Sequence, residues 1–144
     1  MFGLFKMKHS EDEQRKFLVK TLPEMLAIQC GLAEKTTLDA PGGNINRRAL
    51  GYVCGFCEAA FQVAWKQKSD RDKDQATIAE ILIAMYGMRG SEYMNDALSC
   101  INQPDTDFKA GLVNGGQEYI QWARTTGKPN SFVPMGLVKH LNGW

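Results

Sequence analysis

The amino-acid sequence predicts an all-α protein, a single-domain bundle of five to six helices. Apolar residues recur at helical spacing along most of the 144 residues, and residues that commonly cap helices precede the apolar stretches. Strands are not predicted, apart from a short hairpin that is an alternative near residues 112–120. We assign residues 10–144 to one helical domain, because this length suits a single domain, and residues 1–9 to a flexible or docked N-terminal segment.

Ser10 and Glu13 have capping-box spacing, which predicts that the first helix begins near residue 10. Its apolar stripe has i, i+4 and i+7 spacing and consists of Leu18, Leu22, Met25 and Leu26. Pro23 interrupts this stripe, because proline lacks the amide hydrogen that an interior helical position donates. We therefore expect the helix either to kink or to restart near Thr21, and to end near Glu34.

A loop is predicted at residues 36–46 (TTLDAPGGNIN), where a proline and two glycines favour turns. The second helix is expected to run from about Arg47 to Lys68. Its apolar face is broad and includes Leu50, Val53, Cys54, Cys57, Phe61, Ala64 and Trp65. A helix that is apolar over so much of its circumference is expected at the centre of the fold.

Two further helices are predicted in the segments TIAEILIAMYGM and SEYMNDALSCI, each of which carries an apolar stripe. Gly87 or Gly90 is expected to end the first of them, since glycine is common just beyond a helix C-terminus. Pro104 is expected to stop the second. A short last helix is predicted after Pro134.

The segment from Asp105 or Thr106 to Arg124 carries two conflicting signals. Asn114-Gly115 is typical of a β-hairpin turn. Against a hairpin, apolar residues keep helical spacing at Phe108, Leu112, Tyr119 and Ala123. The sequence favours a fifth helix here, and the hairpin near residues 112–120 is kept as the alternative.

The charge balance gives no reason to expect a nucleic-acid partner. The chain has 17 basic and 16 acidic residues, a formal net charge of +1, whereas nucleic-acid binding depends on neutralising phosphates. No apolar stretch approaches the ~20 residues of a spanning helix, so no membrane partner is expected. The start MFGLFKMKHS lacks the order of a signal peptide, and we expect a cytoplasmic protein with reduced thiols.

Cys54 and Cys57 have the Cys-x-x-Cys spacing of dithiol redox centres. A thioredoxin-type pair lies at a helix N-terminus after a strand, whereas Cys54 falls inside the second predicted helix. The pair resembles that of the alkylhydroperoxidase family, which carries its Cys-x-x-Cys within a helix. The resemblance implies a proton-relay histidine four residues after the second cysteine and an upstream glutamate. Phe61 occupies the histidine position, and no acidic residue lies between Ala40 and Cys57.

No metal site or cofactor is predicted. A zinc site at the cysteine pair needs two more ligands, and the candidates are all isolated in sequence: Cys30, Cys100, His9 and His140. Asp70, Asp72 and Asp74 imitate the start of a calcium loop. Gln75 stands where that loop needs glycine, and Ile81 stands where it needs a bidentate glutamate.

Gly51, Gly55 and Ala59 place small side chains at i, i+4 and i+8 on one face of the second helix. Such a stripe lets another backbone approach closely, either within the fold or across a dimer. It is therefore a candidate packing or binding surface. It favours a structural role for this helix over a catalytic one.

A candidate anion site lies where the predicted loop meets the second helix. Gly42 and Gly43 supply loop amides, and Arg47 and Arg48 follow at the helix N-terminus, where backbone amides attract negative charge. The segment lacks the lysine and hydroxyl residue of a P-loop. A plain connecting loop is the alternative.

The sequence favours a protein without enzymatic activity that acts as a helical protein–protein interaction or assembly module, such as an adaptor, an immunity-like protein or a complex subunit. The expected partner is a protein, and a homodimer is one candidate. The absence of a complete catalytic set is the main reason. The alternative function is a thiol-disulfide redox or peroxidase-like enzyme that uses Cys54 and Cys57.

Overall fold

The computed structural model describes residues 11–65 and 70–143, so the N-terminal segment 1–9 lies outside the described residues. Six helices occupy these ranges: α1 (Glu11–Leu32), α2 (Arg47–Trp65), α3 (Arg71–Tyr86), α4 (Met88–Asn102), α5 (Thr106–Thr125) and α6 (Gly136–Asn142). The described chain contains no strand, only one isolated antiparallel bridge between Asp39 and Ile45. The predicted all-α bundle is confirmed.

The structure decides both alternatives that the sequence left open within the helices. α1 is one helix that continues through Pro23, so the alternative in which it restarts near Thr21 is wrong. Residues 112–120 lie inside α5, so the hairpin alternative is wrong. Gly111 and Gly115 are buried against α2, and this tertiary packing outweighs the local preference of Asn114-Gly115 for a turn.

The contact between α2 and α5 is the most extensive in the bundle, and glycines form it from both sides. Gly51 and Gly55 face the backbone of α5, while Gly111 and Gly115 face the backbone of α2. A Cβ atom on any of the four would overlap a backbone carbonyl oxygen, that of Phe108, Leu112, Arg48 or Tyr52 in turn. The contacts advance in the same direction along both helices, so α2 and α5 pack in parallel.

Around this pair the remaining helices complete the core. α1 and α3 are also parallel, because Arg15 contacts Asp74 near their starts and Cys30 contacts Tyr86 near their ends. The Arg15 guanidinium and the Asp74 carboxylate form a buried ion pair at 2.7 Å. Fully buried large apolar side chains come from four helices, α1, α2, α3 and α6, and include Leu22, Leu26, Leu50, Phe56, Phe61, Ile81, Leu82 and Leu137.

The last helix, α6, is held by side chains from distant parts of the chain. The Tyr52 hydroxyl and the Gly136 amide donate hydrogen bonds to Glu118 Oε1, at 2.6 and 2.9 Å. The Leu137 amide donates to Gln29 Oε1 at 2.9 Å. Amides at a helix N-terminus have no partner within the helix, so these side chains satisfy groups that burial would otherwise penalise.

Candidate functional site

The cysteine pair lies in the interior of α2 and is closed to solvent. The exposed fractions of Cys54 and Cys57 are 2% and 0%. Burial raises the pKa of both thiols, and the charge of Glu58 raises each further, so the unreactive thiol form is favoured at neutral pH. All four cysteines are free, and none is paired in a disulfide.

The described residues next to the pair do not favour its activation. Phe61 stands where alkylhydroperoxidases have their relay histidine. Its ring is fully buried, and the ring centroid lies 5.7 Å from the Arg15 guanidinium carbon. Glu58 follows Cys57 directly, but burial and the nearby Asp74 raise the pKa of this carboxyl. A neighbouring carboxylate disfavours a thiolate, so the local electrostatics oppose nucleophilic chemistry.

Among residues 11–65 and 70–143, no group of three or more His, Cys, Asp or Glu side chains is placed to hold a metal ion. The aspartates of the calcium-like segment have separate structural roles. Asp70 caps α3 and accepts hydrogen bonds from the amides of Asp72 and Lys73 at 3.0 and 3.2 Å. Asp74 points the other way, into its ion pair with Arg15.

Both arginines of the candidate anion site face carboxylates of the same chain. Arg47 pairs with Asp105 at 3.1 Å and with Asp96 at 3.4 Å, and Arg48 pairs with Asp107 at 3.0 Å. These partners come together because α2 and α5 are parallel, which puts their N-termini side by side. The two arginines of the predicted anion site therefore already pair with carboxylates, from α4, from the N-cap of α5 and from its first turn.

Gly42 and Gly43 adopt φ values of 90° and 84°, conformations that suit glycine, in the turn before α2. The loop, the start of α2 and the end of α6 border an open groove of about 980 Å³. His140 lines it and approaches Asn114 Oδ1 at 2.9 Å through Nε2. Burial lowers the pKa of His140, and the charge of Arg48 lowers it further, so the imidazole is neutral at pH 7.

The outward side of α1 carries a row of large apolar side chains that are mostly exposed to solvent. We call Phe17, Thr21, Glu24, Ile28 and Leu32 the outer face of α1. Phe17, Ile28 and Leu32 have exposed fractions of 64%, 66% and 58%. They share one side because their spacings of 11 and 4 residues are close to whole turns, and they extend over about 22 Å.

Gly31 borders the outer face and packs closely against none of the described residues. A Cβ atom built on Gly31 would meet nothing within 4 Å. Glycine in a helix costs up to about 1 kcal/mol relative to alanine. The position is therefore open towards solvent, in contrast to the glycines between α2 and α5.

Other exposed apolar side chains of the described residues are scattered over separate elements: Val63, Ile83, Met88, Val113 and Val133. Scattered exposure of this kind is normal for a protein surface. Only α1, among the described helices, has three such residues along one face. This row was not predicted from the sequence, although Phe17, Ile28 and Leu32 form a second helical stripe beside the leucines that face the core.

Comparison of the chain with protein-family models, with curated proteins and with solved structures found no match. No helix of the described residues is long and apolar enough to cross a membrane. The function is therefore argued from the geometry of the chain itself.

Proposed function

We propose that the protein is a helical protein–protein interaction module that binds its partner through the outer face of α1. The observation that carries this proposal is the exposure of three large apolar side chains on one face of one helix. Apolar surface of this kind is stabilised when it leaves water, and several large apolar side chains exposed on one helix face mark a binding surface more often than scattered ones do.

The reactive side chains of the chain support the same proposal. Cys54 and Cys57 are buried, and the arginines at the start of α2 are paired with aspartates. Their chemistry is thus used within the fold, whereas the outer face of α1 is not. We also propose a cytoplasmic location, because all four cysteines are free thiols and reducing compartments keep thiols in that form.

Site-specific photocrosslinking in the native cells tests the proposal. A benzophenone amino acid is placed at Ile28, and the control places it at Val133. These two side chains are equally exposed, at 66% and 65%, and only Ile28 lies on α1. We expect a discrete crosslinked product from position 28 and none from position 133, because the probe must lie against a bound partner to react.

Equal products from the two positions would indicate random collision, and no product from either would indicate that the outer face binds nothing. Either result contradicts the proposal. A circular dichroism spectrum of each labelled protein confirms that the helices have formed.

A further inference from the structure

We propose that α6 is a pH-sensitive lid that opens locally while the rest of the bundle stays folded, and that protonation of His140 favours its open form. The first amides of α6 bond to Gln29 and Glu118, and a Cβ on Gly136 would lie 2.5 Å from Tyr52 Cε2. Opening of α6 would therefore uncover a polar cluster that the closed form covers. The lid and the outer face of α1 share no residues, so the two proposals are independent.

The connection between α5 and α6 leaves α6 able to move without the helix before it. α6 has only seven residues, and isolated helices of this length are marginal in water, so its helical form depends on docking. Residues 126–135 lead to it from α5, and none of them is buried. Elements with such a solvent-exposed connection open at a lower free energy than the core of a fold. α6 is therefore expected to open before the bundle unfolds.

The imidazole of His140 is seated in its neutral form. Asn114 Oδ1 can only accept a hydrogen bond, so Nε2 at 2.9 Å carries the ring hydrogen and Nδ1 carries a lone pair. Nδ1 is buried and has no hydrogen-bond partner among the described residues. Protonation would place an N–H group there without an acceptor, and a buried unsatisfied donor destabilises the closed form. In the open form water supplies the acceptor, so the proton binds more readily.

The charged groups around the imidazole favour the same direction. Burial lowers the pKa of His140, and the charge of Arg48 on α2 lowers it further. Lys139 acts in the same sense, whereas Glu118 of α5 opposes them. The contact from α1 is the uncharged amide of Gln29. The remaining titratable groups near the imidazole are one adjacent phenol and the charged side chains that line the groove: Tyr52, Glu34, Lys35, Asp39, Arg47 and Asp107.

The apolar side of α6 limits how far a proton can open it. Leu137, Val138 and Leu141 are buried and hold α6 in the closed form. Protonation therefore changes how often α6 opens rather than releasing it outright. The frequency of opening is expected to rise about tenfold for each unit by which the pKa of His140 is lower in the closed form than in the open form.

Hydrogen exchange of the full chain, read by mass spectrometry of its peptides and corrected for the intrinsic effect of pH, tests the lid. Amides of α6 are expected to exchange faster than amides of α2 at about pH 7.5 and at about pH 5.5. The protection of α6 should also fall at the lower pH. Equal protection of α6 and α2 would mean that α6 opens only with the whole bundle, and unchanged protection of α6 between the two pH values would exclude the proton. Either result overturns the inference.

Two variants assign the pH dependence to this imidazole. His140→Gln keeps a donor for Asn114 and does not titrate, so the protection of α6 should be the same at both pH values. Asn114→Asp places a carboxylate against Nε2 and favours the imidazolium, so acid should open α6 less than in the wild type. The matched control is His9→Gln, which removes the other histidine of the chain and should leave the pH dependence unchanged.

Circular dichroism at both pH values verifies that each variant is folded, and either variant decides the question if the other does not fold. His140→Gln with the wild-type loss of protection overturns the inference, because other groups then cause the opening. Asn114→Asp that opens in acid as much as the wild type also overturns it. So does a His9→Gln variant that no longer responds to pH.

Discussion

The α2–α5 contact and the outer face of α1 are built from similar residues in opposite situations. Both contain glycine on a helix flanked by large apolar side chains. Between α2 and α5, a Cβ on Gly51 or Gly55 would overlap the backbone of the facing helix, whereas a Cβ on Gly31 would meet nothing. A glycine with a backbone against it is explained by the fold, and a helical glycine with open space beside it is not.

The same contrast holds for the apolar side chains of α1. Leu22 and Leu26 are fully buried against the bundle, while Phe17 and Ile28 on the other side are about two-thirds exposed. The helix thus carries two apolar rows, of which the fold uses one. This difference separates contacts that hold the monomer together from contacts available to a partner.

The largest expected effect on stability is at the α2–α5 contact, for the substitution Gly55→Ala. The new methyl group would overlap the Leu112 carbonyl, and relief requires α2 and α5 to move apart, because no flexible side chain can give way. We expect a loss of about 3 kcal/mol in the free energy of unfolding, at the upper end for overpacked cores. Urea denaturation monitored by circular dichroism measures it, and an unchanged midpoint would contradict the close packing.

The buried thiols of α2 should be strongly protected. We expect Cys54 and Cys57 in the native protein to react with a maleimide at least about 100-fold more slowly than an exposed thiol, because labelling requires local opening. Val133→Cys supplies that exposed reference thiol in the same chain. Mass spectrometry after proteolysis identifies each labelled site. A rate for Cys54 equal to that of the reference would favour the redox alternative instead.

At the outer face the same substitution should have the opposite sign. Gly31→Ala is expected to stabilise by about 0.5 kcal/mol. The gain comes from helix propensity, since the methyl group meets nothing among the described residues. Urea midpoints of the wild type and the variant give the difference. A loss of stability would mean that Gly31 has a role within its own chain.

The smallest effect on stability is expected from His140, whose Nε2 lies 2.9 Å from Asn114 Oδ1 of α5. Its pKa in the folded state lies below the ordinary value of 6.5, so the unfolded chain binds a proton more readily. Stability should therefore decrease as the pH falls from 6.5 through the lower folded value. In His140→Gln the urea midpoint should change less with pH over this range than in the wild type. An equal change in both proteins would assign the pH dependence to other groups.

The helices themselves were predictable because they follow from local patterns. Apolar spacing located every described helix, and Asp70 and Asp105 cap α3 and α5 as expected for residues that precede helices. The start of α4 at Met88, directly after Gly87, falls three residues before the segment that suggested it. Boundaries of this kind depend on packing, here on Gly90, which lies against the backbone of Leu82.

The partners of these residues were not predictable, because they lie far apart in the chain. Arg47 and Asp105 are 58 positions apart, so no local pattern indicates that the predicted anion site faces carboxylates. Gly115 belongs to a turn signal when its neighbours alone are considered, and only the proximity of Tyr52 explains its place in a helix. Which apolar row of α1 faces inwards likewise depends on how the helix is rotated against the bundle.

The parallel arrangement of α2 and α5 has a consequence for how the chain is made. Gly51 meets Phe108 and Gly115 meets Tyr52, so the partner of α2 lies about 60 positions later in the sequence. During synthesis the glycine face of α2 emerges from the ribosome well before α5 has been made. The central contact therefore forms only after α5 has been released, and contacts between such distant positions slow folding. A ribosome-bound chain that ends before residue 106 would expose this face to chaperones.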